Sequence, residues 1–306
     1  MDQAENLRNM VKSTEEDGGK PLSAESNRGK SRIITVTSGK GGVGKTSTSI
    51  NLAIQFRKMG KSVIILDADF GLANIEVMFG AIPKYNLSDL VYRGKDLKDI
   101  IVKGPMDISF ISGGSGISGF EDLTKDQIMY IVYKLKEIEG MADIIIIDTG
   151  AGISSTVMDF VVASDEVLLV TTPEPTSITD SYSLLKVLNK HSEFNRKTTK
   201  IKIITNKVRN YEEGLNLYNK FNVVVDKFLK IEIEFLGIIE SDDNMSKAVI
   251  QQQPISIAYP NSKGAKCYKK LLDNLISDKT AEESHNEHKG LVALFMRTMK
   301  RGKGGV

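Results

Sequence analysis

The chain has 306 residues, 41% hydrophobic and 26% charged, which is enough apolar material for a substantial core and excludes wholesale disorder. Lys plus Arg number 41 and Asp plus Glu 39, so the net charge is +2, and a nucleic-acid binder relying on bulk positive charge is not indicated. The single cysteine, Cys267, excludes an intrachain disulfide framework and a metal or iron–sulfur centre built on several thiolates of one chain.

In chain order, residues 1–12 form a short, potentially helical head. Ala4, Leu7 and Val11 can share one helical face with Met10 beside it, a minimal amphipathic segment able to dock in another protein's groove. This head has no apolar core of secretory-signal length. No run in the chain approaches the ~20 apolar residues of a membrane span, so a cytoplasmic protein is expected. Residues 13–30 are polar with Gly, Ser and Pro, and read as a flexible tether.

The body spans residues 31–276. Short β-branched runs at 33–37, 63–66, 108–111, 144–147, 167–171, 201–205 and 235–239 read as strands, several of them continuously apolar. Between them lie helical patterns at 46–59, 124–139, 177–189, 212–230 and 262–276. In the 212–230 pattern, Leu215, Tyr218, Val225, Phe228 and Leu229 fall near one face. Such alternation predicts an α/β fold: a mostly parallel, twisted sheet with helices on both faces and ligands at the C-terminal strand ends. Residues 277–290 form a second polar linker.

Residues 291–301 are apolar and then basic. Leu291, Leu294, Phe295 and Thr298 line one side, with Val292, Met296 and Met299 close by. Lys289, Arg297, Lys300, Arg301 and Lys303 add only positive charge, as in a helix that lies on an anionic membrane surface.

Chemistry concentrates first at Gly39-Lys40-Gly41-Gly42-Val43-Gly44-Lys45-Thr46, which satisfies G-x-x-x-x-G-K-[ST] between a strand and a helical pattern. Gly41, Gly42 and Gly44 permit positive φ, so that backbone N–H groups can turn toward phosphate oxygens, with the helix dipole behind them. Lys45 can bridge the β- and γ-phosphates, Thr46 can ligate Mg²⁺, and Ser47 can reach the α-phosphate. Two acidic stations follow later strands. Asp67-Ala68-Asp69 leads into a Gly-containing loop suited to switching, and Asp148 leads into a Gly-rich turn; both suit a metal-side carboxylate.

Thr205-Asn206-Lys207-Val208-Arg209 looks like the N-K-x-D of GTPases until its last position. Arg209 has only donors and cannot read the guanine N1 and N2 groups, whereas Asn206 can still face an adenine edge, so ATP is favoured.

The second lysine of KGGVGKT, Lys40, makes the chain resemble the deviant Walker A ATPases of the MinD/ParA family. The resemblance covers roughly residues 31–276 and implies a MinD-like P-loop NTPase fold with ATP or ADP and Mg²⁺ as ligands. It also implies a slow, regulatory ATPase that forms a homodimer in which Lys40 reaches the partner's nucleotide. Asp148 would hold Mg²⁺ through water, with Asp67 in the metal's outer shell, while Asp69 would orient the attacking water. One departure is Phe70, where Leu is expected in DADLGLAN.

The head matches the DQAxxLR stretch, here Asp2, Gln3, Ala4, Leu7 and Arg8, that opens many members of the FlhG branch, which governs flagellar number and position. That resemblance implies stimulation of an FlhF-like GTPase, a membrane-targeting tail, and contact with flagellar switch or C-ring components. A division-site MinD would share site and tail but not the head. A ParA-type partition ATPase would need a basic DNA surface. An iron-protein relative would need cluster-ligating cysteines.

Overall fold

Apolar β-branched runs buried on both sides must be covered twice, and the chain achieves this with one sheet between two helical layers. The computed structural model describes residues 31–69, 74–114, 130, 134, 137–196 and 198–277. The head, the expected linker at 13–30, residues 278–290 of the second one, the tail and most of the 124–139 helical pattern lie outside the described residues, while Ser277, expected in the second linker, closes the last described helix.

The strands are β1 (Arg32–Ser38), β2 (Val63–Ala68), β3 (Ile101–Lys103), β4 (Ser109–Ile111), β5 (Ile144–Ala151), β6 (Glu166–Thr171), β7 (Lys200–Val208) and β8 (Glu234–Glu240). They form one sheet in the order β3-β4-β2-β5-β1-β6-β7-β8. All neighbours are parallel except β3 and β4, which pair antiparallel at one edge. The described helices are α1 (Lys45–Lys58), α2 (Asn74–Phe79), α3 (Leu87–Tyr92), α4 (Leu97–Ile100), α5 (Ser155–Ala163), α6 (Pro175–Lys190), α7 (Tyr211–Leu229), α8 (Asp243–Ile250), α9 (Ile255–Ala258) and α10 (Lys263–Ser277). The expected mostly parallel α/β architecture is therefore present.

Alternate strand residues divide between the two layers, as the two-residue side-chain period of a strand requires. Ile33, Ile145, Ile147, Val167 and Leu169 pack with α5, α6 and α7. Ile34, Ile144, Ile146, Leu168 and Val170 pack with α1 and α10 on the other face. The Arg32 guanidinium donates to the Leu275 carbonyl at 3.1 Å, so α10 ends beside the start of β1. Residues 31 and 277 thus both lie at the pole of the sheet opposite the glycine loop.

Three local expectations need correction. Helix α7 buries Gly214, Leu217, Phe221, Val225 and Leu229, a stripe rotated away from Leu215, and Phe228 is 63% exposed. Helix α5 has no counterpart among the expected elements. Val157, Met158, Phe160, Val161 and Val162 are all buried, so no polar face gives it a 3.6-residue signature. Finally, β2 and β5 run further than their apolar letters, which places Asp67 and Asp148 within the sheet as Cα partners and not beyond it.

Asp159 of α5 gives a stability prediction. Burial pushes its carboxyl up to about 6. A folded-state value above the unfolded ~3.9 means that its contribution is complete below that value and is lost as pH rises through about 6. Asp159→Asn is therefore expected to stabilise the protein at pH 7.5 by about 1–2 kcal/mol, after discounting for its partial exposure. Urea titrations at pH 7.5 and at pH 4 should show the gain at the first and none at the second.

Candidate functional site

The loop between β1 and α1 turns on two glycines in the left-handed region, Gly42 (φ 73°) and Gly44 (φ 97°). Gly41 is not in that region; a Cβ there would meet nothing within 4 Å, so the expected need for positive φ holds at 42 and 44 only. Gly39 is required for another reason. A Cβ at Gly39 would overlap the Asp180 carbonyl group and lie 2.5 Å from Ser181 N, because α6 packs its backbone directly on the loop.

Helix α1 begins with Gly44 at its N-cap, with no side-chain cap and no acidic residue in its first turn. Its leading N–H groups and positive dipole end are left for an anion. Lys45 is buried beside them at 7% exposure.

Carbonyls of the loop are tied outward. Ser38 Oγ donates to Lys40 O at 2.8 Å, Asn206 Nδ2 to Val43 O at 2.7 Å, and Lys207 Nζ to Gly42 O at 2.8 Å. Thr48 donates to Gly44 O from both its N–H (3.0 Å) and its hydroxyl (2.8 Å). Asn206 thus has one N–H committed to the loop, while its Oδ1 accepts from Lys207 N at 2.7 Å. Lys40, at the rim, donates to Glu174 Oε2 at 2.7 Å and Thr176 Oγ1 at 2.8 Å, both at the start of α6. This contact holds the Glu174 carboxyl below its usual range.

Beneath the loop, Asp67 and Asp148 are fully buried. Ser49 Oγ donates to Asp148 Oδ1 at 2.9 Å, and Asp69 N donates to Asp67 Oδ1 at 3.1 Å. Burial raises the Asp148 carboxyl to about 6, against the opposing pull of Thr46, Lys45 and Ser49. Burial, and then Asp148 itself, hold Asp67 well above the carboxylate range. The second oxygens, Asp67 Oδ2 and Asp148 Oδ2, are buried without a hydrogen-bond partner. Orphaned buried carboxylate oxygens are costly unless something binds them. They fit a hydrated Mg²⁺, which keeps several waters and takes only one or two carboxylates plus phosphates. The described residues contain no group of three or more His, Cys, Asp or Glu placed to hold a metal ion.

Asp69 sits over the end of β5, with its Oδ1 3.7 Å from where a Cβ of Gly150 would lie. Ser47 Oγ lies 3.9 Å from Met78 Sδ, near the rim. The structure therefore brings Gly39 to Ser47, Asp67, Asp69, Asp148 and Asn206 to one end of the sheet. Sequence reading missed Ser49, Lys207, Glu174 and Thr176. Ser49 sits three positions after Thr46 on α1 and could have been found by helical spacing, whereas Glu174 and Thr176 meet Lys40 only through the fold.

A glycine loop joining a central buried strand to an uncapped helix, with paired carboxylates on adjacent strands beneath it, defines the class: a P-loop nucleoside triphosphatase. A family profile described as an AAA domain matches residues 31–203. The antiactivator FleN of Pseudomonas aeruginosa is 37% identical over 246 residues, covering 80% of this chain and 86% of FleN. The flagellum site-determining protein YlxH of Helicobacter pylori is 33% identical over 287 residues, 92% of this chain and 94% of YlxH. The chain belongs to the FlhG-type family of MinD-like ATPases, enzymes that hydrolyse ATP. The fold is also that of MinD from Pyrococcus horikoshii, solved with Mg-ADP, with a TM-score of 0.63 at 24% identity over 82% of this chain and 97% of that one.

Proposed function

We propose that the protein is an ATP-dependent dimerising switch of the FlhG type. In the ATP state it binds the inner face of the cell membrane, and it stimulates an FlhF-like GTPase to set flagellar number and placement. The observation that carries this reading is Lys40, which lies at the open rim of the loop and, among the described residues, is held by exposed groups at the start of α6. A triphosphate bears about four negative charges, and a rim lysine able to leave Glu174 can offset those of a partner's nucleotide.

Within one chain, Lys45 and the N–H groups of residues 41–46 hold the phosphates, and Ser47 meets the α-phosphate. Asn206 has one N–H left for the adenine edge. Thr46, Asp148 and Asp67 would hold Mg²⁺, the carboxylates through water, and the ion would supply positive charge that offsets the phosphates. Asp69 orients the attacking water, whose oxygen bonds to the γ-phosphorus while its protons leave on the released phosphate. The bond to the β–γ bridging oxygen breaks, leaving ADP and phosphate. Turnover is slow and regulatory.

Residues 1–12 act as the activator, with Asp2, Gln3, Ala4, Leu7 and Arg8 contacting the GTPase, and residues 13–30 tether it to the ATPase body at 31–276. After the linker 277–290, residues 291–301 insert Leu291, Leu294, Phe295 and Met299 at the lipid surface while Arg297, Lys300 and Arg301 meet anionic headgroups. Two such tails in a dimer raise membrane affinity by ~10²–10⁴ over one. Among the described residues no helix is long and apolar enough to cross a membrane, and attachment is read as peripheral. Flagellar switch components are expected as further partners, and no specific nucleic acid is.

Asp69→Ala, which should bind ATP without hydrolysing it, is expected to sediment with anionic liposomes at least ~10-fold more in ATP than in ADP. Equal sedimentation would contradict the link between nucleotide and membrane. A peptide of residues 1–20 added to the GTPase should raise GTP turnover; no stimulation would remove the role given to the head and favour a division-site MinD reading.

A further inference from the structure

A trans peptide is planar, so its C=O and the following N–H point in opposite directions. Whatever holds a loop carbonyl outward therefore aims the next residue's N–H toward the cradle. Three of the four tied carbonyls are held by neutral groups, from Ser38, Asn206 and Thr48. Gly42 O alone is held by an ammonium, that of Lys207, at 2.8 Å.

Lys207 lies on β7, two strands from β1, and not on the loop. Consecutive side chains of a strand point to opposite faces, so Asn206 and Lys207 could not both reach one loop from a regular β7. The chain solves this with a left-handed residue: Lys207 has φ 58°, and the pairing of β7 with β8 shifts register between Asn206 and Val208. Non-glycine residues rarely take this conformation, and those that do cluster at functional sites. The turn is fixed by the bond from Lys207 N to Asn206 Oδ1 at 2.7 Å. The same clamp occupies the space a side chain would need at 44, because a Cβ on Gly44 would overlap Asn206 Nδ2.

We propose that Lys207 is a positioning residue for the nucleotide: its ammonium fixes the Gly42–Val43 peptide so that the Val43 N–H faces the phosphates before they arrive. The inference rests on the ATP reading given above and adds a group that does not itself touch the substrate. A donor set in advance costs no reorganisation on binding, which is where its contribution to affinity comes from. Glu174 is bonded to Lys40, whose contact lowers its carboxyl, and the charge of Lys207 adds to that effect more weakly.

Three variants separate the contact from the backbone. Lys207→Met keeps the stem and removes the charge, Lys207→Gly also relieves the left-handed φ, and Lys207→Arg restores a cation. In calorimetric titration with Mg-ADP, Met and Gly are each expected to bind ~10-fold more weakly than the wild type, with Arg recovering to within ~3-fold. The amide resonance of Val43 in the unliganded, ¹⁵N-labelled Lys207→Met protein should move from its wild-type position while the melting temperature holds. Wild-type affinity in Lys207→Met or Lys207→Gly, or an unmoved Val43 resonance, would overturn the proposal. A wild-type protein that binds no Mg-ADP would instead remove the ATP reading, and this inference with it.

Discussion

Lys45→Ala is expected to lower kcat/KM for ATP by about 10³-fold while leaving the unliganded protein folded, as steady-state phosphate release and circular dichroism would show. The loss of one preorganised cation at the phosphates accounts for about 10²–10³ of this. The remainder comes from the metal side. Lys45 is one of the groups that pull the Asp148 carboxyl back toward ionisation against its burial, with the balance at about 6. Removing the lysine raises that value, so more of Asp148 is protonated at neutral pH and unable to hold hydrated Mg²⁺. The activity that remains should therefore rise with pH over a more alkaline range than in the wild type. An unchanged pH profile would show that Lys45 and Asp148 are not coupled.

Gly39→Ala should be nearly as damaging, though it removes no functional group. The new methyl would meet only backbone atoms, the Asp180 carbonyl and Ser181 N, and these cannot rotate away as a side-chain tip can. Helix α6 must shift, at a cost of about 3 kcal/mol or more. For a domain of this size that corresponds to a fall of roughly 6–12 °C in melting temperature. The shift also moves Glu174 and Thr176, the groups that hold Lys40. A differential scanning measurement within 2 °C of the wild type would show that α6 yields at little cost.

The glycine loop illustrates how much of the site the letters carry. A helix capped by Gly44, a buried Lys45 and a positive φ at Gly42 all follow from a spacing of eight residues, because phosphate geometry admits few loops of this type. Asp148 and Asp67 were legible as acids after apolar runs. That they pair across adjacent strands, each with one buried oxygen lacking a partner, was not legible, because register is a relation between segments about 80 residues apart. Phe228 of α7 shows the same limit. Its spacing fits the apolar face, but the face that is buried is set by what the helix lies against.

On its own, the order of residues determined the parallel α/β class and the phosphate loop with its two lysines. These follow from local chemistry: β-branched runs and glycine conformations at a fixed spacing. Only the tertiary structure decided what Gly39, Glu174 and Lys207 do. Each acts on the loop from a contact made across at least 134 positions of chain or through a helix backbone, and no periodicity or motif records which distant segments the folded sheet brings together.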